Sequence, residues 1–227
     1  MKDFPMFTTE YGVASLFMKE IPYKEKAYIV IHSSEQPEEP LKECVSFCRI
    51  CGAEEVFASG HEYLERYPLH TIVYEMQGEV QVDESKVEHL WPVTRETVGQ
   101  WREICNRRMR DIDNSATQEA RDEKEILESG DAYFVHHSGE LLGIGWIRDG
   151  ELLELASVVP GAGERVMHTL MSILPGQVLK LQVVSTNLRA ISLYERLGFI
   201  KTAEISRWFQ VHPDKKQEKQ KIFLDVQ

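Results

Sequence analysis

The sequence predicts an α/β protein, because stretches typical of strands and of helices alternate along most of its 227 residues. The clearest unit begins at residues 179–184, which alternate apolar and polar side chains and then become apolar, as in a strand with a buried face. Asn187 is a good N-cap for the short amphipathic helix that follows. Gly198 suits the left-handed position that ends a helix, and Phe199 starts another strand. These residues alone therefore predict a strand–helix–strand unit.

The same alternation extends over about residues 87–226. In chain order the periodicity predicts a strand, two helices, three strands, a helix, a strand, a helix and two strands, at residues 87–93, 94–110, 115–128, 132–137, 141–147, 152–159, 164–174, 179–184, 187–197, 200–211 and 222–226. Ser115 and Gln118 have the spacing of a capping box, so we expect the second of these helices to begin at Ser115.

The N-terminal part predicts two strands, a helix, a strand, a helical turn and a strand, at residues 13–21, 27–32, 41–51, 55–59, 62–67 and 69–76. The polar segment 77–86 has the composition of a linker, so we expect an N-terminal α+β subdomain at residues 1–86 and a second domain at residues 87–227. The N-terminal element order loosely repeats the second half of the later domain, which favours a degenerate half-repeat.

The composition limits the classes of partner. A formal net charge of −11 and a pI of about 5.3 argue against a nucleic acid or an anionic membrane as a general partner, whereas a cationic amine would be attracted.

The N-terminus lacks the apolar core of a signal peptide, and no apolar run approaches the length that spans a membrane. With four cysteines, a disulfide framework is not expected. We therefore expect a cytoplasmic protein.

Cys44, Cys48 and Cys51 have the CxxxCxxC spacing by which radical enzymes hold an iron–sulfur cluster. The same spacing is i, i+4, i+7 on the predicted helix, and a buried free cysteine packs like a small apolar side chain. We expect core packing, while the iron–sulfur alternative predicts a coloured protein. The histidines within residues 136–168 form no metal-ligand spacing with nearby acidic residues, so we predict no bound metal.

A family resemblance adds to this interpretation. In their strand–helix–strand context, several residues resemble the C-terminal motif of the GNAT superfamily of acyl-CoA-dependent N-acyltransferases: Asn187, Ala190, Leu193-Tyr194-Glu195 and Gly198-Phe199. The element order of residues 87–226 also resembles that of the superfamily. The resemblance implies a GNAT-like mixed twisted sheet flanked by helices, with the N-terminal α+β subdomain added to it, and acetyl-CoA as a cosubstrate.

The resemblance implies that the cofactor lies on the glycine turn between a strand and a helix. Backbone amides at a helix N-terminus are suited to a pyrophosphate, and glycine allows a close approach. This chain keeps Gly161-x-Gly163 but lacks the Arg or Gln that precedes these glycines in the usual motif, so the motif is degenerate and Arg165 would compensate. The cofactor-binding residues implied here are Gly161, Ala162, Gly163, Arg165 and Val166.

In the superfamily the preceding strand separates from its neighbour at a bulge. The resemblance therefore implies that free amides at Ala156 and Val158 pair with the pantetheine arm. Asn187 occupies the position whose side chain often meets this arm. Its role as a helix N-cap explains the residue equally well, and the two roles are compatible.

The resemblance assigns the proton transfers to Glu154 and Tyr194. Glu154 lies where many family members place a carboxylate, and on an alternating strand it faces opposite to Leu153 and Leu155. It is the candidate base, with a solvent-facing or paired carboxylate as the alternative. Tyr194 lies where members often carry the acid that protonates the departing CoA thiolate, with a half-buried packing residue as the alternative.

The predicted function is transfer of an acetyl group from acetyl-CoA to an amine, by direct attack and without a covalent enzyme intermediate. The predicted partner is a small-molecule or peptide amine acceptor, with no nucleic acid and no membrane, and a homodimer is the assembly to test. Since a fold does not establish activity, the alternative is a catalytically silent GNAT-like module that acts as an acyl-CoA sensor or interaction subunit.

Overall fold

The computed structural model describes residues 6–174 and 176–212, so the strand predicted at 222–226 lies outside them. The described residues form eleven strands: β1 (Met6–Thr9), β2 (Gly12–Phe17), β3 (Lys26–Ser34), β4 (Glu55–Ser59), β5 (Leu69–Glu79), β6 (His89–Pro92), β7 (Ala132–His137), β8 (Glu140–Arg148), β9 (Glu151–Ser157), β10 (Val178–Val184) and β11 (Ile200–His212). They also form six α-helices: α1 (Ile21–Lys24), α2 (Glu38–Ile50), α3 (Val98–Met109), α4 (Glu123–Ser129), α5 (Gly163–Met171) and α6 (Leu188–Arg196). Across this described part, no helix has the length and apolarity needed to cross a membrane.

The chain divides into two compact units. One takes the described residues up to Ile72 and from Ser206 onward, and the other is Val73–Ile205. These limits differ from the division expected at residue 86. Residues 77–79 of the expected linker continue β5, because they pair with β10 as far as Glu79 opposite Val178.

Within the unit Val73–Ile205 the strand order is β11-β5-β10-β9-β8-β7-β6. The pair β9–β10 is parallel, and its two strands are joined through α5, whereas β5–β10, β8–β9, β7–β8 and β6–β7 are antiparallel. The predicted mixed sheet is therefore confirmed.

Helices flank both faces of this sheet. The consecutive β7 residues Phe134 and Val135 belong to different clusters of buried side chains, one with Trp101 of α3 and the other with Leu170 of α5. Because consecutive side chains of a strand point to opposite faces, α3 and α5 cover opposite faces of the sheet. The predicted α/β architecture, with helices on a mixed sheet, is confirmed.

The other unit has the strand order β1-β2-β3-β4-β11, in which α2 joins the parallel strands β3 and β4. Its elements β2-β3-α2-β4 thus follow the same internal order as β8-β9-α5-β10. A 3₁₀ turn, Glu62–Arg66, follows β4 where α6 follows β10. This shared order supports the half-repeat expected from the sequence.

Two of the clustered cysteines are core residues. Cys44 and Cys48 of α2 are fully buried beside Leu41, whereas Cys51 is exposed. Burial raises the pKa of the Cys44 thiol to about 11 and that of Cys48 to about 12, so both stay protonated. Among the described residues, no group of three or more His, Cys, Asp or Glu side chains is placed to hold a metal ion. The expected core packing is therefore confirmed for Cys44 and Cys48 and wrong for Cys51.

The second helix of this domain is present, but its predicted start at Ser115 is wrong, since α4 begins only at Glu123. The Ser115 hydroxyl donates to the carbonyl oxygens of Met109 (2.6 Å) and Ile112 (2.9 Å), so it does not cap a helix. Residues 113–119 instead follow an irregular path between α3 and α4. Local spacing resembled a capping box, but contacts with the preceding helix decide the conformation.

Candidate active site

Strands β9 and β10 are paired only at the start of β9. Two register pairs join them, and the second is Leu152 opposite Leu181, whereas β9 continues to Ser157 and β10 to Val184. Over the same length β9 stays paired with β8. The two strands therefore separate beyond Leu152 and leave an opening along the second half of β9.

A β-bulge lies where this opening starts. Between the pairs formed by Leu152 and Glu154 with β8, strand β9 has one residue more than β8, so Leu153 is the extra residue. Leu153 packs in the same cluster as Cys105 of α3, and Glu154 forms a hydrogen bond with that thiol. The expectation that Leu153 and Glu154 face opposite sides is therefore wrong, because the bulge turns both toward α3.

The half-buried carboxylate of Glu154 accepts hydrogen bonds from the Cys105 thiol and from the side-chain amide of Gln118. Loss of hydration raises the pKa of Glu154 to about 7, although both hydrogen bonds favour the charged form. Burial, with the charge of Glu154 as a smaller cause, raises the pKa of the Cys105 thiol, so the thiol stays protonated and acts as a donor. A carboxyl group with a pKa near neutrality can take up and release a proton at the pH of most cells.

Tyr194 of α6 lies close enough to Glu154 for the charge of the carboxylate to affect the pKa of the Tyr194 hydroxyl. Burial raises the pKa of the Tyr194 hydroxyl, and the negative charge of Glu154 raises it further. The ring also packs against Phe199, with a centroid separation of 6.0 Å. The structure thus brings together the two residues that the sequence suggested for proton transfer, and it also gives Tyr194 a packing contact.

The amides along the opening differ from those expected. The Val158 N–H donates to the Leu142 carbonyl oxygen of β8 (2.8 Å), so it already belongs to the sheet. Ala156 lies two residues earlier, and its amide faces the same edge. By the same alternation the amides of Leu155 and Ser157 face the opening. These two residues replace Ala156 and Val158 as candidate main-chain ligands.

The turn from β9 to α5 contains Gly161, whose φ of +83° lies in the left-handed region that glycine adopts without strain. The buried Ala162 donates its N–H to the Val159 carbonyl oxygen (3.2 Å), and the Val166 N–H donates to the Ala162 carbonyl oxygen (2.9 Å). Those two predicted ligands therefore have occupied amides. The amides of residues 163–165, which begin with Gly163, form the first turn of α5, where no intrahelical acceptor exists. They are the donors suited to a phosphate group.

The guanidinium of Arg165 is paired with Glu88. Its Nε donates to Oε1 of Glu88 (2.8 Å), and its Nη2 donates to the same oxygen. The other oxygen of Glu88 is hydrogen-bonded to Nδ1 of His137 (2.7 Å). A contact between Arg165 and a pyrophosphate stays a prediction, and it would use the N–H groups of the guanidinium that Glu88 does not engage.

Asn187 caps α6, as expected, because its Oδ1 accepts a hydrogen bond from the Ala190 N–H (3.2 Å). The cap uses only the oxygen, so a contact of the Nδ2 group with pantetheine stays compatible with it. The neighbouring Thr186 hydroxyl donates to Oδ2 of Asp113 (2.8 Å). This bond ties the turn before α6 to the irregular segment that follows α3.

Sequence reasoning did not find Cys105 and Gln118 as partners of Glu154. Cys105 has the apolar spacing of a core helix residue, and Gln118 has that of a capping box. Both residues are distant from Glu154 along the chain, so no local spacing could have joined them to it.

Comparisons with known proteins support the fold. A scan of the sequence against protein-family models finds no match, and a search of curated proteins finds none. Among solved structures, a conserved protein of unknown function from Staphylococcus epidermidis is similar at 8% identity over 93% of this chain and 95% of that chain, with a TM-score of 0.59. A proposed acetyltransferase from Pyrococcus horikoshii is similar at 13% identity over 87% of this chain and 68% of that one, with a TM-score of 0.55.

A GCN5-related N-acetyltransferase from Anabaena variabilis also has a TM-score of 0.55, at 12% identity over 81% of this chain and 54% of that one. At such low identities these likenesses show the fold alone. The fold is that of the GNAT acetyltransferases, as the motif around Asn187 and Tyr194 implied.

Proposed function

We propose that this protein is an N-acetyltransferase that moves an acetyl group from acetyl-CoA to an amine by direct attack. The observation that carries the proposal is the opening between β9 and β10, since Glu154 lies at its start and Tyr194 interacts with Glu154. This observation supports the proposal, because the candidate base lies beside an unpaired strand edge and its charge affects the candidate acid.

The residues around the opening fit acetyl-CoA. The amides of Leu155 and Ser157 can pair with the amide groups of the pantetheine arm, as a neighbouring strand would. The first turn of α5 offers unpaired N–H groups and the positive end of the helix dipole to a pyrophosphate. When bound, acetyl-CoA supplies an acetyl group activated as a thioester.

Glu154 is the proposed base. An acceptor amine is mostly protonated at neutral pH and must lose a proton before its lone pair can attack. A base works best when its pKa lies near the working pH, and the pKa of about 7 meets this condition. Glu154 takes the proton through a water molecule.

Tyr194 is the proposed acid. As the amine nitrogen bonds to the acyl carbon, the carbon–sulfur bond breaks and the departing sulfur takes the phenolic proton. The new amide nitrogen then gives up its extra proton, which returns to the phenolate of Tyr194. Protonation of Glu154 in the earlier step removes the negative charge that raises the pKa of Tyr194, so the base step makes the acid step easier.

The acceptor proposed is a small-molecule or peptide amine. The formal net charge of −11 attracts a cationic acceptor over long range. A cytoplasmic location and a homodimeric assembly remain proposals from the sequence.

One observation favours the second candidate, a silent module that senses acyl-CoA or serves as an interaction subunit. Arg165 is paired with Glu88, and Lys86 is paired with Glu164 in the first turn of α5 (2.6 Å). Each of these two cations thus already has a carboxylate partner.

The test is release of free CoA thiol from acetyl-CoA in the presence of a panel of amines, including a polyamine, free amino acids and peptides. We expect amine-dependent thiol release from the wild-type protein and its loss in Glu154→Gln. Binding of acetyl-CoA without turnover on any amine would instead support the silent module.

A further inference from the structure

We propose that Gln118 is a positioning residue that fixes the carboxylate of Glu154 for its role as base, and that Asn106 holds Gln118 in place. The inference rests on the proposed function and deepens it. It assigns a role to the irregular segment between α3 and α4, which the sequence predicted as part of a helix.

The main chain of Gln118 is clamped from both sides by one side chain. The Gln118 N–H donates to Oδ1 of Asn106 (2.8 Å), and Nδ2 of Asn106 donates to the Gln118 carbonyl oxygen (2.9 Å). Asn106 belongs to α3, so a regular helix supports the clamp. Earlier in the segment, Ser115 is bonded to the end of α3 and Asp113 to Thr186. The segment is therefore held at several points although it has no regular secondary structure.

This clamp brings the side-chain amide of Gln118 to the carboxylate of Glu154. A side chain on a fixed main chain loses less freedom when it forms a hydrogen bond than one on a mobile loop. Cys105, one residue before Asn106 on α3, donates to the same carboxylate. Two donors that are both supported by α3 thus set the orientation of Glu154.

Two donors also leave part of the carboxylate unused. An ionised carboxylate has about four lone-pair sites, so two hydrogen bonds on the α3 side leave sites for a water or an ammonium proton. Within the described part of the chain, the titratable groups that interact with Glu154 are Cys105 from α3 and Tyr194 from α6. Cys105 and Tyr194 both have raised pKa values and stay neutral, so neither titrates together with Glu154. The effect of removing Gln118 can therefore be measured as a change in the titration midpoint of Glu154.

The experiment is a carbon-13 NMR titration of the Glu154 carboxyl group in the unliganded full-length protein, with its signal identified by its loss in Glu154→Gln. Gln118→Ala removes a donor to the charged form, so we expect the midpoint to rise by about one pH unit. Gln118→Glu keeps the shape of the side chain and adds a like charge, so we expect a larger rise. Gln100→Ala, at an exposed position of α3, is the control and should leave the midpoint unchanged.

Asn106→Ala tests the clamp. It should raise the midpoint in the same direction as Gln118→Ala, and the double variant should show no further rise, because both changes remove one contact. In the thiol-release assay, Gln118→Ala should lower kcat about tenfold and leave KM for acetyl-CoA unchanged.

Unchanged midpoints in both Gln118 variants would overturn the positioning role, whether or not the protein is an enzyme. Shifted midpoints in a protein that acetylates no amine would overturn the proposed function while leaving the contact between Gln118 and Glu154 established.

Discussion

Leu152 of β9 lies opposite Leu181 of β10, and the two strands separate immediately beyond this pair. The parallel strands of the other unit behave differently, since β3 and β4 stay paired over five successive residues up to Val30 opposite Ser59. The bulge at Leu153 explains why the side chain of Glu154 lies toward α3 at the point where β9 is no longer paired with β10. An unpaired strand edge and a carboxyl group with a pKa near neutrality thus occur together in the unit that contains Asn187 and Tyr194.

The first prediction concerns Glu154 as base. Glu154→Gln cannot take a proton, so we expect kcat to fall at least about 100-fold, with the affinity for acetyl-CoA unchanged. In the wild type the active form is the carboxylate, so kcat/KM should rise with pH through about 7. Steady-state thiol release from pH 5.5 to 8.5 checks both, with the span chosen to bracket that pKa by about 1.5 units. A variant with the wild-type rate and pH profile would show that another group is the base.

The second prediction concerns stability. An unfolded glutamate has a pKa of about 4.3, whereas that of Glu154 in the folded protein is about 7. Between these values the folded state binds more protons than the unfolded state, so the contribution of Glu154 to stability falls as the pH rises. Glutamine does not titrate, so the stability of Glu154→Gln does not fall with pH for this reason. The difference in Tm between variant and wild type should therefore grow in favour of the variant from pH 5 to pH 8, and a constant difference would contradict the raised pKa.

The third prediction concerns Tyr194. Tyr194→Phe keeps the ring that packs against Phe199 and removes only the hydroxyl. We expect kcat to fall about tenfold or more while acetyl-CoA still binds, because the departing sulfur loses its proton donor. Tyr67→Phe, at a partly buried position in the other unit, is the matched control. Wild-type turnover of Tyr194→Phe would leave Tyr194 with its packing role alone.

The fourth prediction separates the two roles of Asn187. Serine is also a good N-cap but has no amide donor, so Asn187→Ser should keep the stability of the protein. Asn187→Ala removes the cap and should lower the free energy of unfolding by about 1 kcal/mol. If the Nδ2 group meets the pantetheine arm, as we propose, both variants bind acetyl-CoA several-fold more weakly. Wild-type affinity in Asn187→Ser would restrict Asn187 to the cap.

The sequence predicted elements whose signals are local. The helix after Asn187 was predicted because its cap, its apolar face and Gly198 all lie within one short stretch. Each signal acts within a few residues, so the fold does not need to be known to interpret it. The fold class followed from the order of such elements, and the motif around Tyr194 indicated which fold they form.

Features that depend on distant contacts were not predicted. Ser115 and Gln118 matched a capping box, but bonds to Met109 and Asn106 hold them outside a helix. Likewise, Arg165 was expected to meet a phosphate, and the structure pairs it with Glu88. The bulge at Leu153 reversed the side assigned to that residue. Each of these outcomes depends on a partner that only the folded chain brings near.

The proposed function requires that the opening between β9 and β10 binds acetyl-CoA. Calorimetric titration of the purified protein with acetyl-CoA, and separately with free CoA, measures this binding. We predict saturable binding of both ligands with Kd values in the micromolar range, which corresponds to about −8 kcal/mol. Absence of binding heat from a folded and monodisperse sample, confirmed at a second temperature, would show that this opening is not a cofactor site.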